Sequence, residues 1–265
     1  MYQPRFRTKS RGVPIVSRDE INAIAEGYVQ DFQKGALTTP EPFDIEGFLE
    51  FYMGMTPDFQ YLSHNGIYLG MTVFNETDRI PVYDPYTNRA EYIHADANTV
   101  IIDRRLIEDE KQEHRLRFTQ GHEAGHGIFH TRCYYRNPNQ LDMFALLEPE
   151  EEDLPAIRCR TDSIFSRASA DPRNWTDNEW MEWQANAAAS ALLMPRPAVR
   201  RLFEFNGRTG SRCSQIIKTI YDLISECNVS HEAALYRLKD LGYVESSATQ
   251  SFMPGSSLME FGRDL

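Results

Sequence analysis

The residues best suited to chemistry lie in the run Phe118-Thr-Gln-Gly-His122-Glu123-Ala-Gly-His126-Gly-Ile-Phe-His130. His122 and His126 are four apart, so on a helix they project from one face, one turn apart, and both imidazoles can reach one metal ion. Glu123 sits about 100° around the same helix, placed to accept a proton from a water activated there. A surface helix carrying histidines by accident is the bland alternative. It fits poorly with Gly121, Gly125 and Gly127, each of which costs about 1 kcal/mol relative to alanine in a helix. A helix that gives up that much propensity lets another backbone or a substrate come close.

Two histidines do not complete a catalytic zinc site, which needs a third protein ligand and an open position for water. The extended metzincin pattern requires a histidine six residues after His126, and that position is Arg132. His130 follows His126 by four, but along a straight helix it sits about 12 Å from His122 and reads as a satisfied or supporting histidine. The third ligand is therefore expected to be a carboxylate from another helix. The downstream candidates are the acids of 148–153, Asp177, Glu179 and Glu182; those of 148–153 stand in an irregular, proline-flanked run and read as solvated. Glu182 is different: with Ala185, Asn186 and Ala189 it shares one face at spacings of three and four. Apart from Glu182 that face is small and can pack closely on the glycine-rich HExxH helix. Glu179, one turn earlier, is the runner-up.

Other elements must position these groups. Ser17 caps a helix expected over 18–34, and a shorter one is expected over 45–53. Short β-type runs at 66–74, 80–83, 90–94 and 99–102 predict a small antiparallel or mixed sheet. The HExxH helix is expected over 110–130, and the Glu182 helix over 178–193, ended by Pro195 and Pro197. Between them, 131–177 reads as an irregular insertion. Helices over 213–227 and 231–241 form a C-terminal pair, the second capped by Ser230 and stopped by Gly242. A flexible basic leader (1–17) and a loose tail (246–265) bracket the whole.

Composition narrows the function. At 41% hydrophobic and 25% charged residues, the 265-residue chain is globular in character. No apolar run approaches the roughly 20 residues that span a bilayer, and no apolar stretch follows the basic N-terminus, so a cytoplasmic location without membrane contact is expected. Four widely spaced cysteines without a CxxC pair read as reduced thiols. A net charge of −11 argues against duplex DNA as the main partner. The C-terminal pair has a helix-turn-helix look, but Arg237 and Lys239 are balanced by Glu232 and Asp240, which favours packing over base reading.

Taken together, Arg117-Phe-Thr…His122-Glu-Ala-Gly-His126 and Glu182-Trp-Gln-Ala-Asn186…Leu-Leu-Met-Pro195 resemble the ImmA/IrrE family of zinc metallo-endopeptidases, over roughly residues 18–245. The resemblance implies an α+β fold with a zincin-like, gluzincin-type site. It implies a peptidase domain over 18–200, with the 131–177 insertion beside the site, and a C-terminal helical segment over 201–245 packed on it. By the same resemblance His122, His126 and Glu182 hold one Zn2+ per chain, and Glu123 is the catalytic glutamate. It further implies a protein substrate, a helix-turn-helix transcriptional repressor of a phage, mobile element or stress regulon. The chain departs from the family pattern in the long 131–177 stretch and at Ala188, where phenylalanine is common. Tyr134, Tyr135 and His130 are candidate oxyanion donors, and a structural metal at His130, Cys133 and Cys159 is conceivable.

Overall fold

A computed structural model describes residues 2–9, 12–134, 156–160, 172–208 and 210–254. The architecture is mixed α+β, and it divides into two compact units.

One unit comprises Arg5–Val16 and Glu46–Asn186. Its centre is a four-stranded sheet in the order β3-β7-β4-β8, formed by Thr56–Gln60, Thr99–Asp103, Tyr68–Val73 and Ala156–Arg160. β3 runs parallel to β7, and the other pairs are antiparallel. The middle strands β7 and β4 are buried almost throughout, which is why Thr-Val-Ile-Ile-Asp and Tyr-Leu-Gly-Met-Thr-Val lack an apolar–polar alternation. Asp103 ends β7 and accepts the backbone N–H groups of Leu62 (3.1 Å) and Arg105 (3.1 Å). β5 (Thr77–Asp84) and β6 (Arg89–Ala95) form a separate hairpin whose turn places Asn88 in the left-handed region. Met71, Val73 and Ile101 of the sheet bury themselves against Ile80, Val82 and Ala95 of the hairpin region.

The other unit comprises Met1–Pro4, Ser17–Ile45 and Ala187–Leu265 and is helical. Its first helix, Arg18–Phe32, starts in a reciprocal capping box. The Ser17 side chain accepts from Glu20 N, while Glu20 Oε2 accepts from Ser17 N at 2.7 Å. The C-terminal pair is present as Arg212–Cys227 and His231–Asp240, joined through Asn228 in the left-handed conformation. Arg237 of the second helix is fully buried and donates from Nε to the Met194 carbonyl at 2.9 Å. Arg18 forms an ion pair with Asp240.

Several expectations change. The stretch expected to be a loose leader contains the β1–β2 hairpin (Arg7–Thr8, Pro14–Ile15), with Val13 buried. Gly12, at positive φ, lies so near the Cys133 backbone that a Cβ would come within 3.1 Å of Cys133 Cα. The 45–53 helix is a short α-turn that widens into a π-helix over Phe48–Tyr52. β3 had no clear alternation to announce it, and β8 lies inside the expected insertion; the rest of 135–171 is outside the described residues. Pro195 and Pro197 end one helix and begin another, Arg196–Asn206, because proline at a first turn gives up only an N–H that has no helical partner. Residues 246–252 form a 3-10 helix with Phe252 buried, whereas the remainder of the expected tail, from 255 on, lies outside the described residues.

Ser17→Ala removes one half of the capping box and should lower unfolding free energy by about 1 kcal/mol in urea titration. An unchanged midpoint would mean that the first helix takes its start from packing alone.

Candidate metal centre

The HExxH helix spans Glu113–Phe129, and its stretch from Phe118 to His126 is buried against β4, β7 and β8. His122, Glu123 and His126 are each fully enclosed. A Cβ on Gly127 would come within 2.8 Å of Met53 Cε and 3.0 Å of Met55 Sδ. At this position the glycine admits two methionine side chains, where another backbone or a substrate was expected.

The two imidazoles point inward, with Nε2 atoms 2.9 Å apart. The Glu182 helix, Asp177–Leu193, brings a carboxylate to the same point. Its Oε2 lies 3.5 Å from His122 Nε2, and its Oε1 lies 3.5 Å from His126 Nε2. These three side chains could hold one metal ion.

The tautomers support that reading. His122 Nδ1 donates to Asn186 Oδ1 at 2.9 Å, which leaves the Nε2 lone pair directed at the centre. His126 is fixed by a longer relay. Gln184 donates from Nε2 to the Pro14 carbonyl (2.9 Å), so its Oε1 faces His130 and accepts from His130 Nε2 (2.9 Å). The remaining His130 nitrogen then accepts from His126 Nδ1 at 2.8 Å. In their neutral forms the two ligand candidates therefore aim lone pairs at one another with a carboxylate alongside. Such an arrangement repels itself in isolation, and a divalent cation satisfies it.

Burial also sets the charge states. It lowers the His122 pKa to about 4, with the neighbouring His126 as the next cause, and holds His130 well below its ordinary value. His122 is thereby kept in the neutral form that ligation requires, and His130 in the neutral form that can accept from His126. Glu123 is pushed the other way, to about 7, chiefly by burial. Its Oε2 accepts from Thr72 Oγ1 at 2.6 Å. Its Oε1 lies against Gly70 of β4, where a Cβ would come within 2.3 Å.

The other sequence candidates fall elsewhere. Glu179 is exposed and accepts from Thr176 N (2.7 Å) and Oγ1 (2.9 Å), capping its own helix. Asp177 pairs with Lys9 at 2.8 Å. The acids of 148–153, and Tyr135, lie outside the described residues. Both ring nitrogens of His130 are engaged, so it is not an oxyanion donor. The same engagement removes it from any second metal site with Cys133 and Cys159. Cys133 packs with Val13, Phe74, Ile157 and Met181, whereas Cys159 approaches His122 and Glu123. Tyr134 stacks on Phe74, and burial raises its hydroxyl to about 12.

Sequence reasoning did not find roles for Gly70, Thr72 or Gln184, and it placed Cys159 only in a conceivable structural metal site with His130 and Cys133. Asn186 was noted only as a small residue, although its place four after Glu182 was a usable signal for a partner to the same centre. The strand residues had no such signal, because their approach depends on sheet register.

Residues 160–239 match the family model of the IrrE N-terminal-like domain of the M78 peptidases. No curated protein matches the chain. The match bears out the resemblance to ImmA/IrrE-family metallopeptidases and supports a metal-dependent peptidase with a protein substrate. It includes Glu182 and lies wholly beyond the HExxH run, so the two halves of the site are supported by separate observations. No helix among the described residues is long and apolar enough to cross a membrane.

The opposed shifts give the metal-free protein a defined response to acid. His122 and His130 have folded-state values below the ordinary 6.5, so below 6.5 the unfolded chain binds their protons first and stability falls with pH. Glu123, raised from 4.5 to about 7, binds its proton first in the folded chain and opposes that fall. Two imidazoles against one carboxyl leave a net loss of stability on acidification. Glu123→Gln removes the opposing group, and should roughly double the slope of unfolding free energy against pH between about 4.5 and 6.5. Urea midpoints in chelator measure it, and parallel slopes would contradict these assignments.

Proposed function

We propose that the chain is a zinc-dependent endopeptidase that cleaves a helix-turn-helix transcriptional repressor of a phage, mobile element or stress regulon. In this reading His122, His126 and Glu182 hold one Zn2+ in a zincin-like, gluzincin-type site, and Glu123 is the general base. The observation that carries it is the convergence of two Nε2 lone pairs and a carboxylate beside a buried glutamate raised to about 7.

Zinc bound there supplies a Lewis acid that polarises a peptide carbonyl and acidifies a water. The chain's own groups supply the rest. Glu123 accepts a proton from the attacking water and returns it to the leaving amine. Thr72 holds Oε2, so Oε1 is the oxygen left for the water. Asn186 orients His122, and the Gln184–His130 pair orients His126, each fixing a ring that would otherwise rotate.

The repressor as substrate rests on the ImmA/IrrE resemblance. Two alternatives are a metal-containing protein that sequesters a repressor without cutting it, and a DNA-binding regulator that uses the C-terminal helices. Burial of Arg237 and the engagement of Arg18 with Asp240 count against the second, since phosphate contacts need exposed cations.

Incubation with a small helix-turn-helix repressor encoded beside the gene, followed by mass spectrometry, should yield discrete fragments. An intact repressor that co-purifies with the chain would favour sequestration instead. Glu123→Gln should retain full zinc content and cut at least about 100-fold more slowly. Cutting by this variant at the wild-type rate would remove Glu123 from the base role. His122→Ala should emerge from dialysis without zinc, and full metal content there would break the ligand assignment.

A further inference from the structure

The hairpin-facing side of the four-stranded sheet carries a cation that its packing does not explain. β8 sets Arg158 opposite Met71 and Ala156 opposite Val73. Residues directly opposed in an antiparallel pair project from the same face. Met71 and Val73 belong to the apolar row that packs on the β5–β6 hairpin, and Ala156 packs against that row too. Arg158 therefore puts a half-buried guanidinium on an otherwise apolar face. A register shift between Tyr68 and Gly70 re-aims Tyr68 to the same side, where the Arg158 guanidinium lies 5.4 Å from its ring centroid. Beside this pair opens a cavity of about 570 Å³, a size typical of small-molecule sites. Leu62, Pro81 and Val82 give it apolar walls, Tyr83 adds a second phenol ring, and Arg89 of the hairpin brings a second guanidinium. The Tyr83 hydroxyl donates to Asn88 Oδ1 at 2.9 Å, which leaves the Asn88 amide nitrogen as a further donor.

Charge sets this cavity apart. The chain carries a net −11, yet the described lining holds two arginines and no carboxylate. Among the described residues neither Arg89 nor Arg158 has a carboxylate partner. An arginine that merely covered apolar surface would keep its head in solvent, whereas Arg158 rests on a ring at the cavity wall.

We propose that this cavity binds a nucleoside monophosphate, with the phosphate between Arg89 and Arg158 and the flat base against the tyrosine-lined wall. Two guanidinium forks match the oxygens and the double charge of a phosphate. A carboxylate, with one charge, would leave one arginine uncompensated. Gly70 and Thr72, which meet Glu123, project from the opposite face of β4, so the inference stands apart from the metallopeptidase reading.

Titration calorimetry of the full chain, in phosphate-free buffer with a chelator, tests it with AMP, GMP, CMP and UMP, and with adenosine and inorganic phosphate. At least one monophosphate should bind about tenfold more tightly than adenosine or phosphate. Arg158→Gln and Arg89→Gln should each weaken that binding about tenfold or more, while Arg79→Gln, on the same hairpin but outside the cavity, should not. Should Arg158→Gln fail to fold, Arg89→Gln, at an exposed hairpin end, carries the comparison alone. Absence of binding by all four monophosphates at millimolar concentration would overturn the inference. Binding that survives loss of either arginine would place the ligand elsewhere and overturn it too. Inorganic phosphate binding as tightly as the best monophosphate would reduce the cavity to an anion site and remove the nucleoside. Binding that appears only when zinc replaces the chelator would move the phosphate to the metal centre, overturning this inference and leaving the metal site standing.

Discussion

Two imidazoles held with their Nε2 atoms 2.9 Å apart, out of contact with water, form the constraint on which the rest of the site depends. Ring nitrogens do not converge in this way of their own accord. Each ring here is held from behind by a hydrogen bond that fixes its tautomer. On the His122 side the hold is one residue deep, through Asn186. On the His126 side it is three groups deep and ends at the Pro14 carbonyl, in a hairpin near the start of the chain. A backbone carbonyl is a good terminus for such a relay, because it can only accept. Gln184 must therefore turn its own oxygen toward His130, and every proton position beyond follows.

The Glu182 helix does two jobs at one level. Glu182 approaches both ring nitrogens, and Asn186, one turn later, takes the far side of His122. Gln184 leaves the same helix on a different face to reach His130. One helix thus supplies a candidate ligand and both orienting amides. A displacement of it would disturb all three, so ligand distance and ring orientation are coupled mechanically.

How much of this was readable in advance follows from the range of each interaction. His122, Glu123 and His126 were visible because helical periodicity is local and a spacing of four needs no knowledge of the fold. Glu182 was visible because a carboxylate on an otherwise small face is an anomaly within a single helix. His130 was read as a supporting group because eight residues of helix carry it too far from His122 to share an ion, and the structure places it behind His126. Gly70, Thr72 and Cys159 could not be read this way. Thr72 meets Glu123 through the packing of β4 on a helix 51 residues further along, as Gly70 does, and Cys159 joins them through the register of β4 with β8; no local pattern encodes either relation. The N-terminal stretch misled for a related reason. Its arginines and lysine suggested a solvated tail, while the alternating small and apolar residues that make its hairpin were too few to register as a strand.

Sheet and helix meet at the centre through their different periods. Along β4, every second residue faces the HExxH helix, so Gly70 and Thr72 bracket Glu123 from one side. Gly70 has no side chain because the carboxylate takes the volume a Cβ would need. Thr72 has a hydroxyl because a buried carboxylate oxygen requires a donor. Continuing the same face across the ladder leads to Cys159, and then Ile157. Three polar or vacant positions therefore face one glutamate from two strands, with an isoleucine closing the row. A purely structural contact would favour apolar side chains at all four, as in the hairpin-facing core of Met71, Val73 and Ile101 on the other face of the sheet. The two faces of β4 have been built for different purposes, and the polar one turns toward the histidines.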